Sequence, residues 1–231
     1  MSSEQSAQLL AEIQSQQTRL KARLDEEQDR LNQLAKRLWA QQESEKAKLS
    51  RELHDGVGQL LTGLTRRLQS LSNEQPELQD LAQLAEMALA DVRQLSRLMS
   101  PTILDDLGLV PAIKWLTRSL FVQEECQCEC EFNFTAELSS DTSILIFRIV
   151  QEALVNIIKH AQATQTKVIL SSHHQTIRLD IIDNGIGFEH ISIEKGIGLN
   201  SMQDRAQAFD ADLEIHSKVA KGTRITLTVA I

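Results

Sequence analysis

The run Gln151-Glu152-Ala153-Leu154-Val155-Asn156-Ile157-Ile158-Lys159-His160-Ala161 divides by helical phase. Val150, Ala153, Leu154, Ile157, Ile158 and Ala161 fall on one side, and Glu152, Asn156, Lys159 and His160 on the other. The pattern predicts an amphipathic helix over Asp141 to Ala161, buried along one face and polar along the opposite one. Downstream, Lys167 to Ser172 and Thr176 to Asp183 alternate as a β-hairpin, with Ile177, Leu179 and Ile181 on one face. A helix over Leu199 to Phe209 and two strands over Asp212 to His216 and Thr223 to Ile231 complete the chain. Ahead of the amphipathic helix lie a helix over Leu109 to Val122, with Pro111 in its first turn, and a strand over Cys126 to Thr135. Helices on one face of a mixed or antiparallel sheet make an α+β sandwich.

The first hundred residues read as helix throughout. Leu10, Ile13, Gln17, Leu20, Leu24, Glu27, Leu31, Leu34 and Leu38 recur at spacings of three and four, and seven of these nine positions are apolar. That spacing predicts a coiled coil rather than a helix lying on a globular core. The seam stops at Gln41 and Glu45, where a phase shift is expected at the junction with a bundle of different geometry. A hairpin follows, with Leu49, Leu53, Val57, Leu60 and Leu64 as one apolar stripe. Leu78, Leu81, Ala85, Ala88, Val92, Leu95 and Met99 form the other, and Pro76 suits the first turn of the second helix. Two helices bury little, so the expected solution is a homodimer that closes a four-helix bundle. The expected divisions are a coiled coil at 1–45, a hairpin at 46–100, a linker and first helix at 101–124, and the sandwich at 125–231.

Composition narrows the partners. With 24 basic against 32 acidic residues the net charge is -8, signs interspersed, which argues against nucleic acid or an anionic membrane surface. Arg148, Gln151 and Glu152 interrupt the longest apolar run, so no segment is expected to cross a bilayer, and the N-terminus lacks the pattern of an export signal. Three cysteines without a disulfide framework fit a reducing compartment. These features predict a cytoplasmic protein, or the cytoplasmic portion of a membrane-bound sensor.

Two polar constellations carry chemistry. In Glu52-Leu53-His54-Asp55-Gly56-Val57-Gly58-Gln59, a histidine at the margin of the apolar seam has an acid beside it and an amide one turn beyond Asp55. Neutral imidazole is a good nucleophile near neutral pH, and the adjacent carboxylate can take its proton or fix its tautomer. Gln59 can orient a water without acting as a base. Gly56 and Gly58 each cost roughly 0.5–1 kcal/mol in a helix interior, which suggests that room is needed beside the imidazole. The second set is an anion site. Asp183 ends a strand before Gly185 and Gly187, and Gly196 with Gly198 opens the next helix, so backbone amides can approach phosphates. Asn156 offers a neutral oxygen to Mg²⁺, Lys159 and His160 can reach phosphates, and Glu152 can order a water or act as base. No P-loop or eukaryotic-type kinase motif set occurs in the chain.

In this order the motifs resemble those of two-component sensor histidine kinases, in the branch with an HDxxxQ acceptor box that includes nitrate sensors and thermosensor-type kinases. His54-Asp55 with Gln59 matches the acceptor box, and Gln151 to Asn156 with Lys159-His160-Ala161 matches the N box. Asp183 to Phe188 and Gly196-Ile197-Gly198-Leu199 match the two glycine boxes, and Gly222-Thr223 the late Gly-Thr pair. Pro101 to Leu109 matches the family's linker. The resemblance covers about Leu49 to Ile231. It implies a Bergerat-type ATPase fold, as in gyrase, with Asp183 on the adenine amino group, Asn156 on Mg²⁺ and Thr223 near the adenine. It further implies ATP-dependent phosphorylation of His54, transfer to a response regulator receiver domain, and a phosphatase role for Gln59. Phe209-Asp210-Ala211 departs from the usual glycine pair, and Asp210 tolerates the left-handed conformation that turn requires.

Two other readings are a Bergerat-fold serine kinase of anti-sigma type, which would lack the histidine hairpin, and a dimeric scaffold that binds nucleotide without phosphorylation. Intact Glu152, Asn156 and Asp183 argue against the scaffold. Cys126, Cys128 and Cys130 point one way if they lie on a strand; no fourth metal ligand lies nearby in sequence, and ordinary strand packing accounts for them.

Overall fold

The structure is a computed structural model and describes residues 3–72, 75–99, 102–122, 124–189 and 197–230. One helical rod occupies the N-terminal third. Helix α1 (Ser3–Glu52) runs through a π-helical turn (Leu53–Gly58) into α2 (Gln59–Ser72) without interruption. The helix therefore continues straight across the expected junction near residue 45. After a 3₁₀ turn at Pro76–Leu78 that places Pro76 in the first position, α3 (Gln79–Met99) returns antiparallel along the rod. Part of the expected loop, residues 73 and 74, lies outside the described residues.

The face that joins the two arms differs from the expected stripes. Thr65, Ala82, Ala85, Leu89 and Ser96 are buried between them, whereas Leu49, Leu60, Leu64, Leu81 and Leu95 are exposed. Small residues let the arms approach closely, and Ser50 and Ser96 exchange hydrogen bonds between side chains and carbonyls at 2.8 and 3.2 Å. Of the expected stripes, Ala85 sits within this contact. The leucines instead form an outward apolar face, with Leu60 76% and Met87 67% exposed. The seam residues Leu24 and Leu38 are each 62% exposed in the single chain.

Helices α4 (Thr102–Leu107) and α5 (Leu109–Phe121) lead into β1 (Gln127–Asn133). Then come α6 (Ser140–Asn156), a second π turn (Ile157–Ala161), β2 (Gln165–His173), β3 (Thr176–Asp183), α7 (Ile197–Ala208), β4 (Asp212–Lys218) and β5 (Gly222–Ala230). Ser139 caps α6, its hydroxyl accepting from the Thr142 amide at 3.1 Å. The sheet order is β1-β2-β3-β5-β4, with β1 parallel to β2 and the other pairs antiparallel. Leu179 pairs with Leu227 and Ile181 with Ile225, so one sheet face is continuously apolar beneath α5, α6 and α7. Ile113, Leu116, Phe147, Leu154, Leu170 and Leu179 anchor that core. The opposite face is polar, with Asp180 held by Arg178 at 2.7 Å and Thr226 at 2.8 Å. This is the α+β sandwich expected. Asp210 adopts a φ of 54°, as its turn requires.

A buried arginine joins rod and sandwich. Arg148, 5% exposed, grips Glu43 of α1 with its Nε and NH2 groups at 2.5–3.1 Å. Its remaining hydrogens go to the carbonyls of Leu98 and Met99 at the end of α3, 3.0 and 2.9 Å away, and to Gln151 at 2.6 Å. Read from sequence as a mere interruption of an apolar run, Arg148 is the tie between domains. Around it, the Arg205 guanidinium lies 4.2 Å from the Trp39 ring centroid, and Lys36 pairs with Asp210 at 2.9 Å. The heptad stops near Gln41 because Trp39, Glu43 and Lys46 face the sandwich instead of a coiled-coil partner.

Arg148→Met would strip the Glu43 carboxylate of its guanidinium and strand the Met99 carbonyl, while the Leu98 carbonyl keeps its bond from Gln151 Nε2 at 3.0 Å. The expected stability loss is about 3–5 kcal/mol by urea unfolding. The double variant Glu43→Leu/Arg148→Met should recover much of that loss. A single-variant cost under about 1 kcal/mol would mean that water replaces the arginine without penalty.

Candidate active site

The acceptor candidates sit on the rod. His54, Asp55, Gly56, Val57 and Gln59 are all exposed, and the π turn that holds them packs against α1, α2 and α3. A π turn closes i→i+5 hydrogen bonds, so the phase of the side chains across Leu53–Gly58 departs from that of a regular helix. A Cβ on Gly56 would meet nothing within 4 Å, and one on Gly58 only the Leu53 carbonyl at 3.5 Å. Packing inside the chain thus makes no demand for glycine at 56, and the space beside His54 opens to solvent.

The second constellation converges on a cleft of about 530 Å³ between α6, the end of β3, the start of α7 and β5. Asn156, His160, Asp183, Gly187, Gly198, Leu199 and Thr223 line it. Apolar walls that the motif reading did not assign come from Ala153, Ile157, Ile181, Ile186, Phe188 and Ile225. Ordinary core periodicity hid them. Lys159 is exposed and is not among the lining residues, whereas His160 on the same π turn is. Gly196 lies outside the described residues.

Asp183 is 5% exposed at the floor. Its carboxylate accepts from the Gly185 amide at 2.8 Å and from Thr223. Burial raises its pKa above the usual 3.8, while the bonds from Gly185 and Thr223 pull the other way. The turn that follows is fixed by close backbone approaches. A Cβ on Gly185 would sit 2.2 Å from the Ala161 carbonyl oxygen, and Gly187, at φ +57°, would place one 2.1 Å from that of Lys218. Ser217 completes the support: its hydroxyl accepts from the Phe188 amide at 2.9 Å and lies 2.9 Å from the Thr223 hydroxyl. A hydrogen-bond chain thus runs from Phe188 through Ser217 and Thr223 to Asp183. Asn184, within the same motif, is structural, accepting from the Thr164 and Gln165 amides at 2.9 Å each.

Glu152 and Asn156 share one edge, the amide donating to the carboxylate at 3.4 Å. Gly198 keeps this edge open, since a Cβ there would come 2.2 Å from the Glu152 carboxylate. Glu152 also faces a second cavity of about 170 Å³ shared with Trp39, Lys46, Arg148 and Arg205. The cleft therefore offers a buried carboxylate floor, apolar walls, and an oxygen-rich edge formed by Glu152 and Asn156.

Comparison with known proteins agrees with this arrangement. Residues 45–104 match the family described as histidine kinase, and residues 141–231 match histidine kinase-, DNA gyrase B-, and HSP90-like ATPase. The chain belongs to the sensor histidine kinases, with a Bergerat-type ATPase domain following the helical hairpin. It is 35% identical over 203 residues to the oxygen sensor histidine kinase NreB of Staphylococcus carnosus, covering 82% of this chain and 57% of that protein. It is 33% identical over 210 residues to the sensor histidine kinase MctS of Rhizobium johnstonii, covering 85% and 45%. The chain thus spans about half the length of these curated relatives. The histidine kinase domain of the blue-light activated kinase EL346 from Erythrobacter litoralis shares the fold, with a TM-score of 0.52 at 15% identity over 81% of this chain and 94% of that one. No described helix is long and apolar enough to cross a membrane.

Because the Asp183 pKa is raised on folding, its contribution to stability is fully present below the unfolded pKa and falls as pH rises through the folded one. Asp183→Asn removes that decline. The nucleotide-free variant should gain stability relative to wild type as pH rises from ~4 to ~7. Its ATP affinity should nevertheless fall more than about tenfold, because a charged buried hydrogen bond is worth roughly 1.5–3 kcal/mol. Calorimetry at two pH values measures both; unchanged ATP binding would reduce Asp183 to a turn residue.

Proposed function

We propose that this chain is an ATP-dependent protein-histidine kinase that phosphorylates His54 and passes the phosphoryl group to an aspartate of a response regulator receiver domain. The observation that carries this reading is one chain with an exposed histidine in a glycine-flanked π turn and a cleft floored by buried Asp183. Asp183 and Thr223 would hold the adenine amino edge, and the apolar walls would exclude water from the base. His160 and the turn after Gly187 would face the phosphates. Asn156, with Glu152 beside it, supplies hard oxygen donors of the kind Mg²⁺ prefers. When bound, the cation would neutralise phosphate charge. His54 would attack the γ-phosphorus through a ring nitrogen, with Asp55 receiving the imidazole proton, and Gln59 would order a water for dephosphorylation of the regulator.

The unpartnered leucines of rod and hairpin support a homodimer, in which a second copy would bury them as a four-helix bundle. A cytoplasmic location, with any membrane sensor lying upstream, follows from the same reading. The sandwich is tied to the rod at residues 32–46, and His54 lies about 12 Å further along the helix axis from Lys46 at 1.5 Å rise per residue.

His54→Gln should abolish autophosphorylation while leaving ATP affinity within about twofold of wild type, since the acceptor touches no part of the cleft. The wild-type label should be acid-labile and base-stable; an acid-stable label that persists in His54→Gln would favour the serine-kinase reading. Gln59→Ala should retain autophosphorylation and slow regulator dephosphorylation, read by the decay of the phosphorylated receiver domain. Equal loss of both activities would assign Gln59 to the fold of the π turn instead.

A further inference from the structure

The hydrogen bonds that reach the Asp183 carboxylate begin outside the cleft. Ser217 lies on β4, the edge strand, and is not among the residues lining the 530 Å³ cleft. It lines instead a neighbouring cavity of about 390 Å³, of which Asp183 and Thr223 also form part. Ile181, Ile225 and Ile215 pair across β3, β5 and β4 as one apolar row. Two residues further along each strand stand Asp183, Thr223 and Ser217, on the same face. The β4–β5 register pairs Ser217 with Thr223, and the β3–β5 ladder ends at Ile182↔Arg224, which sets Thr223 opposite Asp183. This polar row is held closely. A Cβ on Gly222, at φ +77°, would come 2.0 Å from the Asp183 carbonyl oxygen, and the Ala220 amide donates to the Ile186 carbonyl at 2.7 Å.

Each hydroxyl has one proton, so the ends of the row decide its direction. At one end the Phe188 amide donates to Ser217 Oγ at 2.9 Å. At the other, an ionised carboxylate only accepts, and a charged acceptor forms the stronger bond. The Thr223 hydroxyl therefore gives its proton to Asp183 and has none left for Ser217. The Ser217 proton goes to Thr223 Oγ1, 2.9 Å away, in preference to the Gly222 carbonyl at 3.2 Å. All the bonds then run one way, from the Phe188 amide to the carboxylate, and bonds in such a row polarise one another.

We propose that Ser217 is a positioning residue for base recognition: by donating to Thr223 it keeps the Thr223 proton turned away from the base, and so selects a 6-amino over a 6-oxo purine. The inference rests on reading the cleft as an adenine-nucleotide site. With the Thr223 proton committed to Asp183, the floor offers acceptors alone. A 6-amino purine brings a donor to it, whereas a 6-oxo purine brings a carbonyl that meets acceptors and finds no proton. Without the Ser217 hydroxyl, nothing donates to the Thr223 oxygen from behind, and its hydroxyl is free to rotate. Its proton can then turn to a 6-oxo group.

The test compares ATP with ITP, in which the 6-amino group is replaced by 6-oxo with a proton on N1, by calorimetry on the full chain with Mg²⁺. Wild type should prefer ATP. Ser217→Ala should weaken ATP binding and narrow the ATP-over-ITP ratio by about threefold or more. Ser217→Thr, which keeps the hydroxyl, should restore that ratio. A purely structural role would weaken both nucleotides by the same factor, so an unchanged ratio in Ser217→Ala overturns the inference. Where Ser217→Ala unfolds or binds neither nucleotide, Ser217→Cys decides: its thiol is a weak donor of similar size, and a wild-type ratio there overturns the inference. Thr223→Val removes the proton being steered, so adding Ser217→Ala to it should leave the ratio where Thr223→Val alone puts it; a further narrowing overturns the route through Thr223. If wild type binds ATP and ITP alike, this inference fails while the kinase reading stands. If it binds neither, the kinase reading falls and this inference with it.

Discussion

A guanidinium removed from water must find acceptors for all its hydrogens, and Arg148 finds them in three places at once. Glu43 supplies the compensating charge, the end of α3 supplies two carbonyls that have no partner within their own helix, and Gln151 supplies an amide oxygen. Each of these groups belongs to a different part of the chain. A single side chain therefore ties the sandwich to both arms of the rod. Breaking one of its contacts leaves the others with an unmet demand. Trp39 against Arg205 and Lys36 against Asp210 extend the dock along α1.

That dock explains how the rod divides its surface. A helix that carried its heptad seam past Leu38 would present leucine to the sandwich. This one presents Trp39, Glu43 and Lys46 there and keeps its leucines on another face. Within the hairpin, small residues and reciprocal serine hydrogen bonds bring α3 onto the rod. The bulky apolar residues are left outward, where another helix pair would fit.

In the cleft the constraint is proximity of backbone to backbone. Gly185 and Gly187 lie where any side chain would collide with a carbonyl of a neighbouring segment, so the turn after Asp183 is held by contact on both sides. Ser217 and Thr223 then link that turn to the carboxylate. These bonds hold the floor together even though Asp183, as a buried acid, is placed at a cost to folding.

Sequence alone determined the α+β sandwich and the order of the family's motifs, because each rests on local periodicity or on short runs whose chemistry is legible in order. The left-handed turn at Asp210 was equally legible, since few side chains tolerate that conformation. Tertiary structure decided what depends on distant partners. Arg148 looked like an interruption until Glu43 and the end of α3 closed around it, and the buried Ala82 and Ser96 of the hairpin carried no periodic apolar signal of their own. The π turns at Leu53–Gly58 and Ile157–Ala161 break regular helical phase, and in the second His160 lines the cleft while Lys159 is exposed. Phase along a helix can be counted from residues, but an added residue in a turn is fixed by hydrogen bonding and packing that the linear pattern does not record.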